Sequence, residues 1–164
     1  MKVVAFSDCS FSNEDNTSSY GIYLVPEIGA PWYTSSDTPK DIDDSFTGEM
    51  YGMYAALYHS ICVFNADTIV LVCDSMGAGK KYNDWKKYHN GGKETVRKDH
   101  RIILLKQFWF LAENRSISFK WIEAHQSITT ASLFGNANNF CDLLAKTHRM
   151  YSKMLDVDNL EFFG

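Results

Sequence analysis

Two short apolar runs in this chain each stop on an aspartate. VVAFSDCS would bury Val3, Val4 and Phe6 in a strand over residues 2–8 and leave Asp8 at its exit, and IVLVCDS does the same for Asp74. A carboxylate just past a buried strand needs compensation, because an unpaired buried charge is costly. Two further acids stand in different settings: Glu49 opens a helix and Asp142 lies in a late one. Convergence of all four on a divalent cation would supply the compensation, since hard ions such as Mg²⁺ take oxygen ligands.

The periodicity between these acids predicts the remaining elements. SYGIYLV (19–25) alternates as an antiparallel partner of the first strand, and WYTS (32–35) forms a short third one. From Thr47, read as the N-cap, the period changes. Met50, Met53, Tyr54, Leu57, Ile61 and Phe64 line one helical face, with Glu49 in the first turn. Residues 68–73 are apolar nearly throughout, as in a strand covered on both faces. A helix over about 96–112, a fifth strand over 117–122 and a final helix over about 137–155 complete the chain. Strands come first, then strand and helix alternate, which predicts a mixed sheet with helices on it.

With 164 residues, 45% hydrophobic and 22% charged, the chain is long enough for one ordinary globular domain spanning 1–164. No apolar run approaches the ~20 residues of a membrane span, and the first residues lack a signal-peptide layout. Cys9, Cys62, Cys73 and Cys141 are scattered without a CxxC pair, which predicts a reduced, cytoplasmic protein. The net charge of −4 is unevenly spread. Between Lys80 and Lys106 nine basic residues meet three acidic ones, a local +6, whereas the rest holds seven basic and seventeen acidic, or −10. Such asymmetry marks a polyanion-binding surface on an acidic body, and its plainer reading is a solvated helix face.

Three apparent motifs lead nowhere. Gly77-Ala78-Gly79-Lys80 hints at a phosphate-binding loop, but Asp74 and Lys81 occupy the positions that need Gly and Ser or Thr. His59, His89, His100, His125 and His148 lack zinc-ligand spacing. Asp8-Cys9-Ser10 is not the Asp-x-Glu of proofreading exonucleases.

Taken in order, six words resemble the type 1 ribonucleases H. They are Asp8-Cys9-Ser10, Tyr20-Gly21, the helix-opening Glu49, Asp74-Ser75, Trp121 four residues before His125, and Asn138-Asn139-Phe140-Cys141-Asp142 at a helix start. The resemblance covers almost the whole chain. It implies the ribonuclease H-like α/β fold: a mixed five-stranded sheet, three strands antiparallel then two parallel, with helices on both faces. It also implies a metal-dependent endonuclease that cuts the RNA strand of RNA/DNA hybrids. Asp8 would bridge two Mg²⁺ ions, replaceable by Mn²⁺, with Glu49 and Asp74 holding one and Asp142 helping to hold the other. Two metals about 4 Å apart activate the nucleophile and neutralise the leaving oxygen. His125 would assist proton transfer, which a histidine can do near neutrality. Ser10, Ser75 and Asn138 would touch substrate. Lys80, Lys81, Lys86 and Lys87, interleaved with Trp85 and Tyr88, resemble the family's basic substrate-binding protrusion.

The chain departs from the pattern at Cys9, where the family has glycine, and at Asp44, Ser45 and Phe46, where it has asparagines that read the hybrid. Distinguishing RNA from DNA requires reading the 2′-hydroxyl, so these departures predict looser hybrid selectivity. Two other functions compete. One is a resolvase-like, structure-specific DNA nuclease, which would pair its last Asp with an acid or His one turn on, where this chain has Ala145 and Lys146. The other is a catalytically silent nucleic-acid-binding module, against which stands the presence of all four carboxylates.

Overall fold

The computed structural model describes residues 1–14, 17–40, 42, 44–89, 100–125 and 132–156, without the side chains of residues 85, 88, 89, 100–103, 105, 155 and 156. Three strands come first: β1 (Lys2–Ser12), β2 (Thr17–Pro26) and β3 (Trp32–Asp37). Then follow α1 (Ser45–Phe64), β4 (Thr68–Cys73), α2 (Met76–His89), α3 (His100–Ala112), β5 (Ser116–Trp121) and α4 (Leu133–Asp156). The sheet order is β3-β2-β1-β4-β5. β1–β2 and β2–β3 pair antiparallel, and β1–β4 and β4–β5 pair parallel, as the sequence predicts.

Alternation along β1 sorts the core into two layers. Val3 and Ala5 face α1 and α3, where Met50, Met53, Leu57, Leu104 and Phe108 are buried. Phe6, with Val4 beside it, faces α4 through Phe134, Ala137 and Cys141. Helices therefore cover both faces. α4 can sit close because Gly21 has no side chain: a Cβ there would lie 2.5 Å from the Cys141 carbonyl oxygen and 2.6 Å from Leu144 Cβ.

Three local expectations are corrected, and one unassigned stretch forms a helix. Asp8 is not the end of its strand; β1 runs on to Ser12, because β2 pairs with it along that whole length. What stops is the parallel partner, whose last pair with β1 is Phe6↔Val72. Asp44, not Thr47, caps α1, accepting from the Thr47 amide at 2.6 Å and its hydroxyl at 2.9 Å. Glu49 thereby falls in the second turn. The glycine-broken basic stretch after Asp74, given no bounds from the sequence, forms the helix α2, capped by Ser75 Oγ, which accepts from Ala78 N at 3.1 Å. α4 begins at Leu133, with Ser132 Oγ accepting from Gly135 N, so Asp142 lies in its third turn rather than at its start. Glycines and asparagines are poor helix formers and hid both beginnings. The expected start of α3 near residue 96 lies outside the described residues.

Candidate active site

Asp8 projects from β1 just beyond the end of β4, where the sheet opens at the carboxyl ends of the parallel strands. Ligand sites of open α/β sheets collect at such places. Asp74 leaves β4 at the same edge, and α1 delivers Glu49 from one face. Carboxylate oxygens of Asp8, Glu49 and Asp74 lie within 4.8 Å of one another.

Three acids that close cannot all ionise without cost. Burial pushes the Asp8 carboxyl up to about 8, helped by the charges of Asp74 and Asp142 and opposed by the Cys9 amide, which donates to Oδ1 at 2.9 Å. Burial also holds Glu49 well above the usual carboxylate range, with the charges of Asp8 and Asp74 adding to it. Glu49 Oε2 is buried without a hydrogen-bond partner. An unsatisfied buried acceptor is expensive, and a cation relieves both that cost and the repulsion. An all-carboxylate set suits a hard divalent ion, so the residues fit the metal that the sequence implies.

Asp74 is held at two points. Asn138 Nδ2, on α4, donates to its Oδ2 at 3.0 Å, and Trp121 Nε1, at the end of β5, donates to its carbonyl oxygen at 3.0 Å. Asn138 is 1% exposed and its Oδ1 has no partner, whereas the Trp121 ring is 47% exposed. The structure thus sets Asn138 against Asp74 as an orienting group. Trp121, known from the sequence only as part of a motif, is a second one.

Asp142 stands somewhat apart. Its Oδ2 accepts from Lys146 Nζ at 2.9 Å and lies 4.0 Å from His125 Nδ1. Its charge still reaches Asp8, whose carboxyl it helps to raise. His125, with its side chain 71% exposed, has φ 53, a left-handed conformation rare for residues other than glycine.

The remaining expected contacts divide. Ser10 is buried, and its Oγ accepts from Arg149 Nε at 2.9 Å, so its hydroxyl already has a partner. Ser75 is the cap of α2. Lys80, Lys81, Lys86 and Lys87 all lie on α2, with Lys81 3.7 Å from Asp84 and Lys80, Lys86 and Lys87 exposed. Trp85 is on the same helix, its side chain outside the described residues. Cys9 turns toward α1: its Sγ lies 3.2 Å from Ser18 Oγ, and a Cβ at Gly48 would come within 2.5 Å of it. Burial, and then the Glu49 charge, push its thiol up to about 12, so it is a neutral group.

The family model for RNase H matches residues 1–149. The chain belongs to the RNase H family. It is a ribonuclease H-type hydrolase, of a family that generally uses divalent metals. Its fold is similar to that of RNase H1 from Halobacterium salinarum NRC-1, at 19% identity and a TM-score of 0.64 over 90% of this chain and 97% of that one. It also resembles the N-terminal RNase H domain of Rv2228c from Mycobacterium tuberculosis, at 17% identity and 0.62 over 93% and 96%. LC11-RNase H1, solved in complex with an RNA/DNA hybrid, aligns at 11% identity and 0.63 over 92% and 98%. No curated protein matches the sequence. Among the described residues, no helix is long and apolar enough to cross a membrane.

Proposed function

We propose that this RNase H-family hydrolase is an endonuclease that cuts the RNA strand of RNA/DNA hybrids with two Mg²⁺ ions, for which Mn²⁺ can substitute. One observation carries the reading: in a chain of this family, Asp8, Glu49 and Asp74 gather their oxygens within 4.8 Å. Asp8 would be shared between the ions, Glu49 and Asp74 would complete one, and Asp142 would serve the other by exchanging Lys146 for it. Bound ions supply a water of lowered pKa and charge at the leaving oxygen.

The protein's own groups do the rest. Asn138 fixes the direction of the Asp74 carboxylate, as outer groups orient metal ligands generally, and Trp121 holds the Asp74 main chain through its carbonyl. His125 Nε2 exchanges a proton with the departing 3′-oxygen while Nδ1 stays toward Asp142. The lysines of α2 hold the sugar-phosphate backbone electrostatically. Cys9, replacing the family's glycine, buries its side chain against α1 and Ser18, so it does not obstruct a strand lying over the site. This favours hybrid cleavage over the looser selectivity that the substitution alone suggests. The free cysteines fit a reducing, cytoplasmic setting for a single domain spanning 1–164.

The test is cleavage of labelled RNA/DNA hybrid, duplex DNA, duplex RNA and a four-way junction, each with Mg²⁺, Mn²⁺ or EDTA. A metal-dependent ladder from the RNA strand of the hybrid alone is the expected result. Junction cleavage would instead make this a resolvase-like nuclease, and binding without cleavage a silent module.

A further inference from the structure

We propose that Arg149, anchored by Ser10, is a phosphate-contacting residue beside the carboxylate centre, a subsite for the backbone of the strand being cut. The inference rests on the nuclease reading above and adds a residue to it.

The even-numbered side chains of β1 face α4: Val4 and Phe6 pack in that layer, and Asp8 and Ser10 continue the row. Ser10 therefore lies two strand residues, about 7 Å, past Asp8 on the same face. Arg149 follows Asp142 by seven residues on α4, which is two turns on and the same side of the helix, about 10 Å along its axis. Ser10 Oγ accepts from Arg149 Nε at 2.9 Å. That bond fixes the plane of the guanidinium and leaves its two Nη groups as donors.

Lys146, one turn before it on α4, is paired with Asp142, but Arg149 meets no carboxylate among the described residues. Arginine cannot shed its charge, and leaving a half-buried cation uncompensated is costly. A phosphate compensates it best, because the planar fork matches two phosphate oxygens. Three carboxylates gathered nearby, with Asp142 beyond them, make an anionic strand hard to hold at the scissile position. A fixed cation one step along the strand face offsets that repulsion where the neighbouring phosphate passes. The competing role is structural: Arg149 only ties α4 to β1 and softens the field of the acids.

Fluorescence anisotropy of a labelled RNA/DNA hybrid against the full chain, with Ca²⁺ replacing Mg²⁺ and across a KCl series, separates the two. Arg149→Gln should bind roughly tenfold more weakly and lower the slope of log affinity against log salt by about 1, the signature of one lost phosphate contact. Arg149→Lys should keep the wild-type slope with reduced affinity, since it retains the charge without the fork. Ser10→Ala should do the same, because the charge remains but is no longer held. Wild-type affinity and slope in Arg149→Gln would overturn the subsite. Should circular dichroism show that variant to be misfolded, unchanged affinity in both Arg149→Lys and Ser10→Ala would overturn it instead. Failure of the wild type itself to bind the hybrid would overturn the nuclease reading and the subsite together, whereas failure of the subsite alone leaves wild-type binding intact.

Discussion

Asp8 and Gly21 stand opposite one another across the β1–β2 ladder, and the bare backbone at Gly21 lets α4 bring Asp142 toward Asp8. A methyl group there would meet a main-chain carbonyl, which cannot swing aside as a flexible side chain can. Gly21→Ala should therefore lose about 1–3 kcal/mol of stability, the usual cost of overpacking, and lose turnover as α4 lifts. Urea denaturation and initial rates measured together check this, and a loss in one without the other would separate packing from site assembly.

Asn138 acts on Asp74 from a different helix, and its effect should appear in metal affinity. Outer groups of this kind typically contribute 10- to 100-fold to metal affinity or activity. Asn138→Ala should raise the Mg²⁺ concentration needed for half-maximal rate by about that factor. An unchanged Mg²⁺ requirement would return Asn138 to simple packing.

The raised carboxyl of Asp8 makes the metal-free protein sensitive to pH. A carboxyl whose pKa rises on folding, from 3.8 to about 8, favours the fold fully only below the lower value. That contribution fades as pH rises through the higher one. In EDTA, wild-type stability should fall between about pH 4 and pH 8, by up to ~1.4 kcal/mol per pH unit for this group. Asp8→Asn removes the titration, so it should be the more stable protein at pH 8 and lose that advantage toward pH 4. Denaturation midpoints at pH 5, 7 and 9 measure the gap, and a gap independent of pH would contradict the electrostatic account.

The exposed lysines of α2 make a separable claim about binding. Lys86→Ala/Lys87→Ala should weaken hybrid binding and flatten its salt slope by one to two units. Anisotropy with Ca²⁺ in place of Mg²⁺ reads this without cleavage, and equal slopes would leave the basic stretch as a solvated face.

Much of this arrangement is visible in the amino-acid pattern, and what is hidden has identifiable causes. β4 is bounded correctly because a strand covered on both faces is a plain apolar run. β1 is cut short because only its partners reveal that pairing with β2 outlasts pairing with β4. The bounds of α2 are hidden because Gly77 and Gly79 open it, and α4 begins early behind Gly135 and its asparagines. Asp8 and Asp74 are legible because each follows a short apolar run, and Glu49 because it stands near the start of a helical period, although Asp8 lies inside β1 and Glu49 in the second turn of α1. The bonds from Trp121 to the Asp74 carbonyl and from Arg149 to Ser10 join residues 47 and 139 positions apart. No local periodicity announces contacts of that kind, and the partner of Ser10 is visible only in the fold.

Calorimetric titration of Mn²⁺ into metal-free protein asks directly whether Asp8, Glu49 and Asp74 hold a divalent cation. Wild type should show saturable binding, and Asp8→Asn, with an unchanged circular dichroism spectrum, should lose it because the central carboxylate is gone. Equal Mn²⁺ binding by both proteins would contradict the assignment of the metal site.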